Sequence, residues 1–360
     1  MSILPDAETF RRLADGTLRG PGPCLARCLL GGLALPYGLV TAARNAAYDR
    51  GVLRMHAGQL PVISVGNLTL GGTGKTPLVA WLARRLAARG FRPAIVSRGY
   101  ASRPHETSDE AAELAILLPG VPHVADRDRV AGVTTAAGRG ADVAVLDDGF
   151  QHRRLRRDLD IVAIDASDPF GCGYLFPRGL LRESLGGLAR ADAVVLTRAK
   201  SALAARRQEI RAVVEQARCG RPPLIWVEAE HRPVALRASA GTVEPLDRAR
   251  GRRVAAFCGI GNPAAFRRTL VDTGLGPVGF RSFADHHAYG PADLEALATW
   301  ARQSRAELVV TTLKDLVKIR RDRLGDLPLV ALEVALEPLG DAEPLAVAIE
   351  QAAARGGSAA

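Results

Sequence analysis

The sequence predicts an α/β protein, and three observations carry that reading. A β-branched run at Val62, Ile63 and Val65 enters a glycine-rich stretch, GNLTLGGTGKTP, and then a helix-like stretch, LVAWLARRLAARG. A second apolar run, Val143 to Leu146, ends in adjacent carboxylates, Asp147 and Asp148. Strand, turn and helix patterns then recur to the end of the chain, as in a sheet layered between helices. The expected architecture is a phosphate-loop NTPase domain of three α/β/α layers with a second, smaller α/β domain and an N-terminal membrane-associated helix. The expected segments are 1–55 for the helix, 56–230 for the nucleotide domain and 231–360 for the smaller domain.

The phosphate loop has a physical logic. Glycines let backbone N–H groups curl around a polyphosphate, and the helix N-terminus directs its positive dipole end at it. Thr69, Gly71, Gly72, Thr73, Gly74, Lys75, Thr76 and Pro77 form the expected nucleotide site. Lys75 reaches the β/γ-phosphates and the Thr76 hydroxyl binds Mg²⁺. The usual spacing asks for glycine where this chain has Thr69. Asp147 and Asp148 stand where a strand-end carboxylate holds Mg²⁺ beside the phosphates, so Thr76, Asp147 and Asp148 are the expected metal ligands.

Composition narrows the partners. The chain of 360 residues is 48% hydrophobic, enough for two ordinary cores. A net charge of +10 suits an anionic partner: nucleic acid, membrane surface or phosphorylated substrate. Cys24, Cys28, Cys172, Cys219 and Cys258 contain no C-x-x-C pair, which argues against a zinc site and fits a reducing compartment. No cleavable signal peptide is expected, because residues 1–20 are polar and carry both charge signs. Residues 28–43 carry no charge but contain Gly31, Gly32 and Pro36, and Arg27, Arg44, Arg50 and Arg54 flank them. Such a segment suits a helix lying in a membrane interface better than one spanning it. The plainer alternative is a helix buried against the first domain.

The remaining strand ends supply further candidates. Arg98 follows Ala94 to Val96, at the carboxyl end of a strand where ligands sit. Asp109 and Glu110 begin a helix for which Thr107 or Ser108 is the expected cap. Gln151 and His152 follow the paired aspartates, and Arg153, Arg154, Arg156 and Arg157 form either a solvated loop or an anion site. Gly259 to Pro263 reads as a tight turn with Pro263 opening a helix rather than a dinucleotide fingerprint, which would need a third glycine. His286, Thr312 and Lys314 end strands in the second region; His286 and His287 lack a further metal-ligand pattern.

Taken together, GNLTLGGTGKTP, SRGY, DDGFQH, LLRES, FADHH and TLKD, in this order, resemble the tetraacyldisaccharide 4'-kinases of lipid A biosynthesis. The resemblance covers roughly residues 25–330, and Thr69 is a feature the family shares. It implies transfer of the ATP γ-phosphoryl group to the 4'-hydroxyl of a tetraacylated glucosamine disaccharide 1-phosphate. The cofactors implied are ATP and Mg²⁺, and the place is the cytoplasmic face of the inner membrane. Two α/β/α domains are expected to meet across a cleft. The partners implied are the lipid and the membrane surface, with no nucleic acid and no obligate protein. The resemblance makes Asp109 the catalytic base and His286 its dyad partner, with Asp147, Asp148 and Lys75 beside them. The family's G-D-E-P stands here as Ser108-Asp109-Glu110-Ala111, after a segment shorter than the family's. Asn67, Arg98, Gln151, His152, Arg182 and Glu183 are the expected substrate contacts.

Two rival functions remain on sequence grounds. A GTPase or metal-insertion NTPase would end the strand at Ala193 to Thr197 in a guanine motif, but Lys200 stands where that motif needs aspartate. A membrane-recruited scaffold ATPase would have no use for FADHH and TLKD.

Overall fold

The computed structural model describes residues 7–99 and 109–355. The expected caps Thr107 and Ser108 lie outside the described residues. In chain order the elements are helices α1 (Ala7–Ala14) and α2 (Pro21–Asp49), strand β1 (Val62–Gly66), α3 (Lys75–Ala88), β2 (Pro93–Ser97), α4 (Asp109–Leu117) and β3 (His123–Ala125). Then come α5 (Arg129–Gly138), β4 (Val143–Asp147), β5 (Leu159–Asp165), β6 (Ala193–Thr197), α6 (Ala204–Ala217), β7 (Ile225–Arg237) and β8 (Val243–Glu244). The chain continues with β9 (Val254–Cys258), α7 (Pro263–Asp272), β10 (Gly279–Ser282), α8 (Pro291–Gln303), β11 (Leu308–Thr312) and α9 (Leu313–Ile319). It closes with β12 (Arg323–Leu324), β13 (Leu327–Pro338) and α10 (Glu343–Ala354).

The chain divides into two compact units. The first holds residues 1–99, 120–231 and 336–360, and the second holds 100–119 and 232–335. A single cut near residue 230 therefore misses two exchanges. Helix α4 belongs with the second unit, because Ala111, Leu114 and Leu117 bury one face there. Helix α10 returns to the first, where Arg85 of α3 and Arg89 just after it reach Glu350 at 3.2 and 2.9 Å.

In the first unit the strand order is β7-β6-β5-β1-β4-β2-β3, and the paired strands are parallel. Every residue of β1, β2, β4, β5 and β6 is buried. A parallel sheet covered on both faces needs such unbroken apolar runs, which is why VISVG and VAVLD read as strands from sequence alone. Helix α3 starts at Lys75 because Gly74 is left-handed, with φ of 81°. A Cβ at Gly74 would also lie 2.3 Å from the ring of His231, so the position excludes side chains twice over.

Helix α2 is longer than the uncharged run. It extends for 29 residues through Pro36 and has length and hydropathy enough to cross a membrane. Leu25, Leu29, Leu33, Leu35, Leu39 and Val40 are 59–72% exposed. At about 100° per residue these six fall on one stripe. The other face docks on the first unit: the Tyr37 hydroxyl donates to the Arg182 carbonyl at 2.7 Å, and the Asn45 amide donates to Glu183 at 2.7 Å. The alternative of a wholly buried helix is set aside by those exposed side chains.

The second unit has parallel strands in the order β10-β9-β11-β13, flanked by α7, α8 and α9. Pro263 occupies the first turn of α7, and the Asn262 side chain caps it by accepting from the Ala265 N–H at 3.0 Å. The glycine turn at 259–261 is thus a structural joint. A Cβ on Gly259 would meet the Tyr289 hydroxyl at 2.9 Å and Asp315 at 3.1 Å.

Candidate active site

Each unit carries one polar cluster. In the first, the phosphate loop joins β1 to α3. Lys75 Nζ donates to Asn67 Oδ1 at 3.0 Å and lies 3.4 Å from Asp148. The buried Asn67 amide donates in turn to the Thr69 carbonyl at 2.7 Å. Thr69 is buried and bridges Leu181, while Gly71 and Gly72 are exposed. The end of β6 holds the loop from beneath: Thr197 donates to the Thr73 carbonyl at 2.7 Å and Arg198 to the Gly72 carbonyl at 3.2 Å. Arg198 is itself paired with Asp165. Thr76 and Pro77 are half-buried in the first turn of α3.

The carboxylates that end β4 differ. Asp147 is buried in the strand. Asp148 has φ of 56°, and both its oxygens accept from Arg182, at 2.9 and 2.7 Å. Burial pushes the Asp148 carboxyl up, but Lys75 and Arg182 outweigh it and bring it down to about 2. Gln151 donates to the Asn67 carbonyl at 2.8 Å and to Glu183 at 3.1 Å. Glu183 is buried and also takes Arg190 in two contacts, at 2.9 and 2.8 Å. Asn67, Asp148, Gln151, Arg182 and Glu183 thus form one network around Lys75. Arg98 stands exposed after β2. His152 is held neutral: burial, then Arg129, Arg157 and Arg44, push it down to about 4.

The arginine cluster is solvated only in part. Arg153 is buried and donates to the Asn45 carbonyl and Asp49, Arg154 pairs with Asp128, and Arg157 pairs with Asp160. Of the four, Arg154 and Arg156 are exposed, and none of these carboxylates pairs with Arg156. These side chains tie the loop to α2 and to neighbouring strands.

In the second unit, His286 Nδ1 lies 3.3 Å from Asp109 Oδ2, across 177 residues of sequence. Lys314 Nζ lies 3.3 Å from His286 Nε2 and 3.1 Å from Asp285. An ammonium can only donate, so Nε2 accepts and the ring proton sits on Nδ1, aimed at Asp109. Lys318, one turn further on α9, is 3.8 Å from Asp109 and 3.0 Å from Asp315. Burial raises the Asp109 carboxyl, but the His286 hydrogen bond and the two lysines bring it below its usual value. Asp315 is fully buried and accepts from the Gly259 N–H, the Tyr289 hydroxyl and Thr312. It is the anchor on which α9 presents both lysines. His287 is structural: it bonds Asp293 at 3.1 Å and packs between Phe283 and Tyr289.

The chain thus carries both a phosphate loop backed by a strand-end aspartate pair and a His–Asp pair. The model of the tetraacyldisaccharide-1-P 4'-kinase family matches residues 26–354. This chain belongs to that family. A tetraacyldisaccharide 4'-kinase from Anaeromyxobacter sp. (strain Fw109-5) is 42% identical, over 97% of this chain and 98% of its own length. Another from Geobacter metallireducens is 39% identical, over 91% and 98%. The crystal structure of LpxK from Aquifex aeolicus in complex with ATP superposes with a TM-score of 0.71 at 31% identity, covering 91% of this chain and 99% of that one. Family membership removes both the GTPase and the scaffold readings.

Some residues around the site escape sequence reasoning. Tyr37 and Asn45 lie in the apolar-rich helix and reveal their role only by docking. Lys318 has a visible signal: it is four residues after Lys314, so a helix after TLKD places both on one face. Arg190 follows Glu183 by seven residues and needs the turn at 185–190 to reach it.

Proposed function

We propose that this chain transfers the ATP γ-phosphoryl group to the 4'-hydroxyl of a tetraacylated glucosamine disaccharide 1-phosphate, a step of lipid A biosynthesis. The observation that carries the reading is the Asp109–His286 pair, a positioned base that an alcohol acceptor needs and a nucleotide switch does not. The Asp109 carboxylate takes the hydroxyl proton as the hydroxyl oxygen bonds to the γ-phosphorus and the bond to the β-phosphate oxygen breaks. His286, its tautomer fixed by Lys314, donates to Asp109 and holds it in place. Lys75, fixed by Asn67 and Asp148, neutralises charge on the β/γ-phosphates.

Mg²⁺ fits the donors available. Thr76 and Asp147 offer hard oxygens, and Mg²⁺ uses one or two carboxylates with waters and phosphates rather than a full protein cage. Asp148, engaged by Arg182 and Lys75, serves better as their positioning group. When bound, the ion would neutralise charge on the transferred group. Arg98, Gln151, His152, Arg182 and Glu183 are proposed for the substrate side, Gln151, Arg182 and Glu183 through their shared network. The exposed stripe of α2, with Arg27 and Arg44 at its shoulders, supports seating on the cytoplasmic face of the inner membrane.

The test incubates the purified protein with Mg-ATP and the disaccharide 1-phosphate lipid in detergent. The expected product gains the mass of one phosphate on the distal sugar. ATP turnover without that product overturns the reading.

A further inference from the structure

Helix α1 brings a cation to the rim of the phosphate loop. It docks through Ala14, which is buried and whose carbonyl accepts from Arg178 at 2.7 Å. Arg11 lies three residues earlier, on the same helix face, and is half-buried, whereas Arg12 is exposed. A Cβ built on Gly71 would lie 3.8 Å from an Arg11 guanidinium nitrogen, and beyond Gly71 and its two chain neighbours no other described atom comes within 4 Å of that point. The guanidinium has no hydrogen bond or ion pair among the described residues. The carboxylates of the loop's network are already engaged: Asp148 by Lys75 and Arg182, and Asp165 by Arg198.

Asp15 and Asp168 lie near Cys172 as Arg11 does, but neither pairs with the half-buried guanidinium, which leaves its donors available to an anion. Its position says which one. Lys75 marks the β/γ end of a bound triphosphate. Its ammonium rests on Asn67, whose amide holds Thr69, two residues before Gly71. The γ end therefore lies on the Gly71 side of the loop. An arginine there meets the oxygens on which charge is redistributed during transfer, where a planar fork of donors fits best.

We propose that Arg11 is a further catalytic residue, whose guanidinium contacts the γ-phosphoryl oxygens in the transition state. The inference rests on the phosphate-loop reading above. Arginines delivered to phosphoryl groups in other nucleotide enzymes are worth about 10³–10⁵ in kcat. Arg11 remains partly open to solvent, so we expect an effect of about 100-fold.

The experiment compares the full chain with Arg11→Ala, Arg11→Lys, Arg12→Ala and Lys75→Ala. For Arg11→Ala, kcat should fall about 100-fold while the Kd of a fluorescent ATP analogue stays within about threefold, the pattern of a contact made only in the transition state. Thermal stabilisation by ADP with aluminium fluoride should be lost, and millimolar guanidinium should restore part of the rate. Arg11→Lys should recover less than guanidinium does, and Arg12→Ala should match the parent. The proposal is overturned if Arg11→Ala keeps kcat within about threefold of the parent. It is also overturned if ATP affinity falls as much as kcat. A lowered melting temperature with no guanidinium rescue overturns it too, since Arg11 would then only dock α1. Lys75→Ala separates the two readings. If it still binds the ATP analogue normally, the phosphate-loop reading itself has failed; if it loses binding while Arg11→Ala is silent, only the role of Arg11 has.

Discussion

Replacing Asp148 with asparagine keeps the shape of the side chain and removes the charge that Lys75 and Arg182 share. The size of the effect follows from the site. The Asp148 carboxyl titrates at about 2 instead of 3.8. At about 1.4 kcal/mol per tenfold change, its neighbours favour the carboxylate over the neutral form by about 2 kcal/mol. A quarter of the side chain is open to solvent, so that figure is an upper end. Native-state hydrogen exchange reads it locally: the most protected amides of β1 and β4 should exchange up to about 30-fold faster in Asp148→Asn. The pH dependence has a definite sign. The folded carboxyl is depressed, so its contribution is fully present above the unfolded value near 3.9 and is lost as pH falls through about 2. The gap between parent and variant should be constant from neutral pH to about 5 and should narrow below 4. Unchanged exchange in the variant, or a gap that persists undiminished to pH 3, would sink the argument that this ion-pair network holds the loop.

Asp109→Asn and His286→Ala should each lower kcat far more than they raise the KM for ATP, measured by lipid phosphorylation; a larger change in ATP KM would move the base elsewhere, Asp147 being next. Gly74→Ala places a Cβ 2.3 Å from His231 at a left-handed φ, so binding of a fluorescent ATP analogue should fall at least tenfold, from about 1–2 kcal/mol of backbone strain plus the clash. Leu29→Glu with Leu33→Glu puts two charges on the exposed stripe of α2. Sedimentation with anionic vesicles should show at least about 100-fold weaker partitioning, since each leucine contributes up to about 1.5–3 kcal/mol when buried in lipid. Phosphorylation of detergent-dispersed lipid should persist in that variant.

Much of this molecule is legible in its sequence, for a physical reason. Buried parallel strands demand unbroken β-branched runs, so β1, β2, β4, β5 and β6 announce themselves. The loop after β1 shows its chemistry in residue types alone. Contacts between distant stretches are harder. Arg153 reads as a free cation until Asp49 and Asn45 arrive from α2. Helix α4 reads as part of the nucleotide domain because it follows β2 directly, yet its buried face belongs to the unit that holds His286. Arg11 gives no local signal at all: it is one charge in a polar leader until docking of Ala14 sets it beside Gly71.

The two-faced α2 bears on how a soluble form of the enzyme should be engineered. An apolar helix near the N-terminus invites deletion to improve expression. Here deletion would also strip Asn45 from Glu183, Tyr37 from the Arg182 backbone, and Asn45 and Asp49 from the buried Arg153. Two of the network's residues, and the buried Arg153 beside it, would lose partners in one stroke. Solubility is better sought by repainting the outward leucines while leaving the inward face intact.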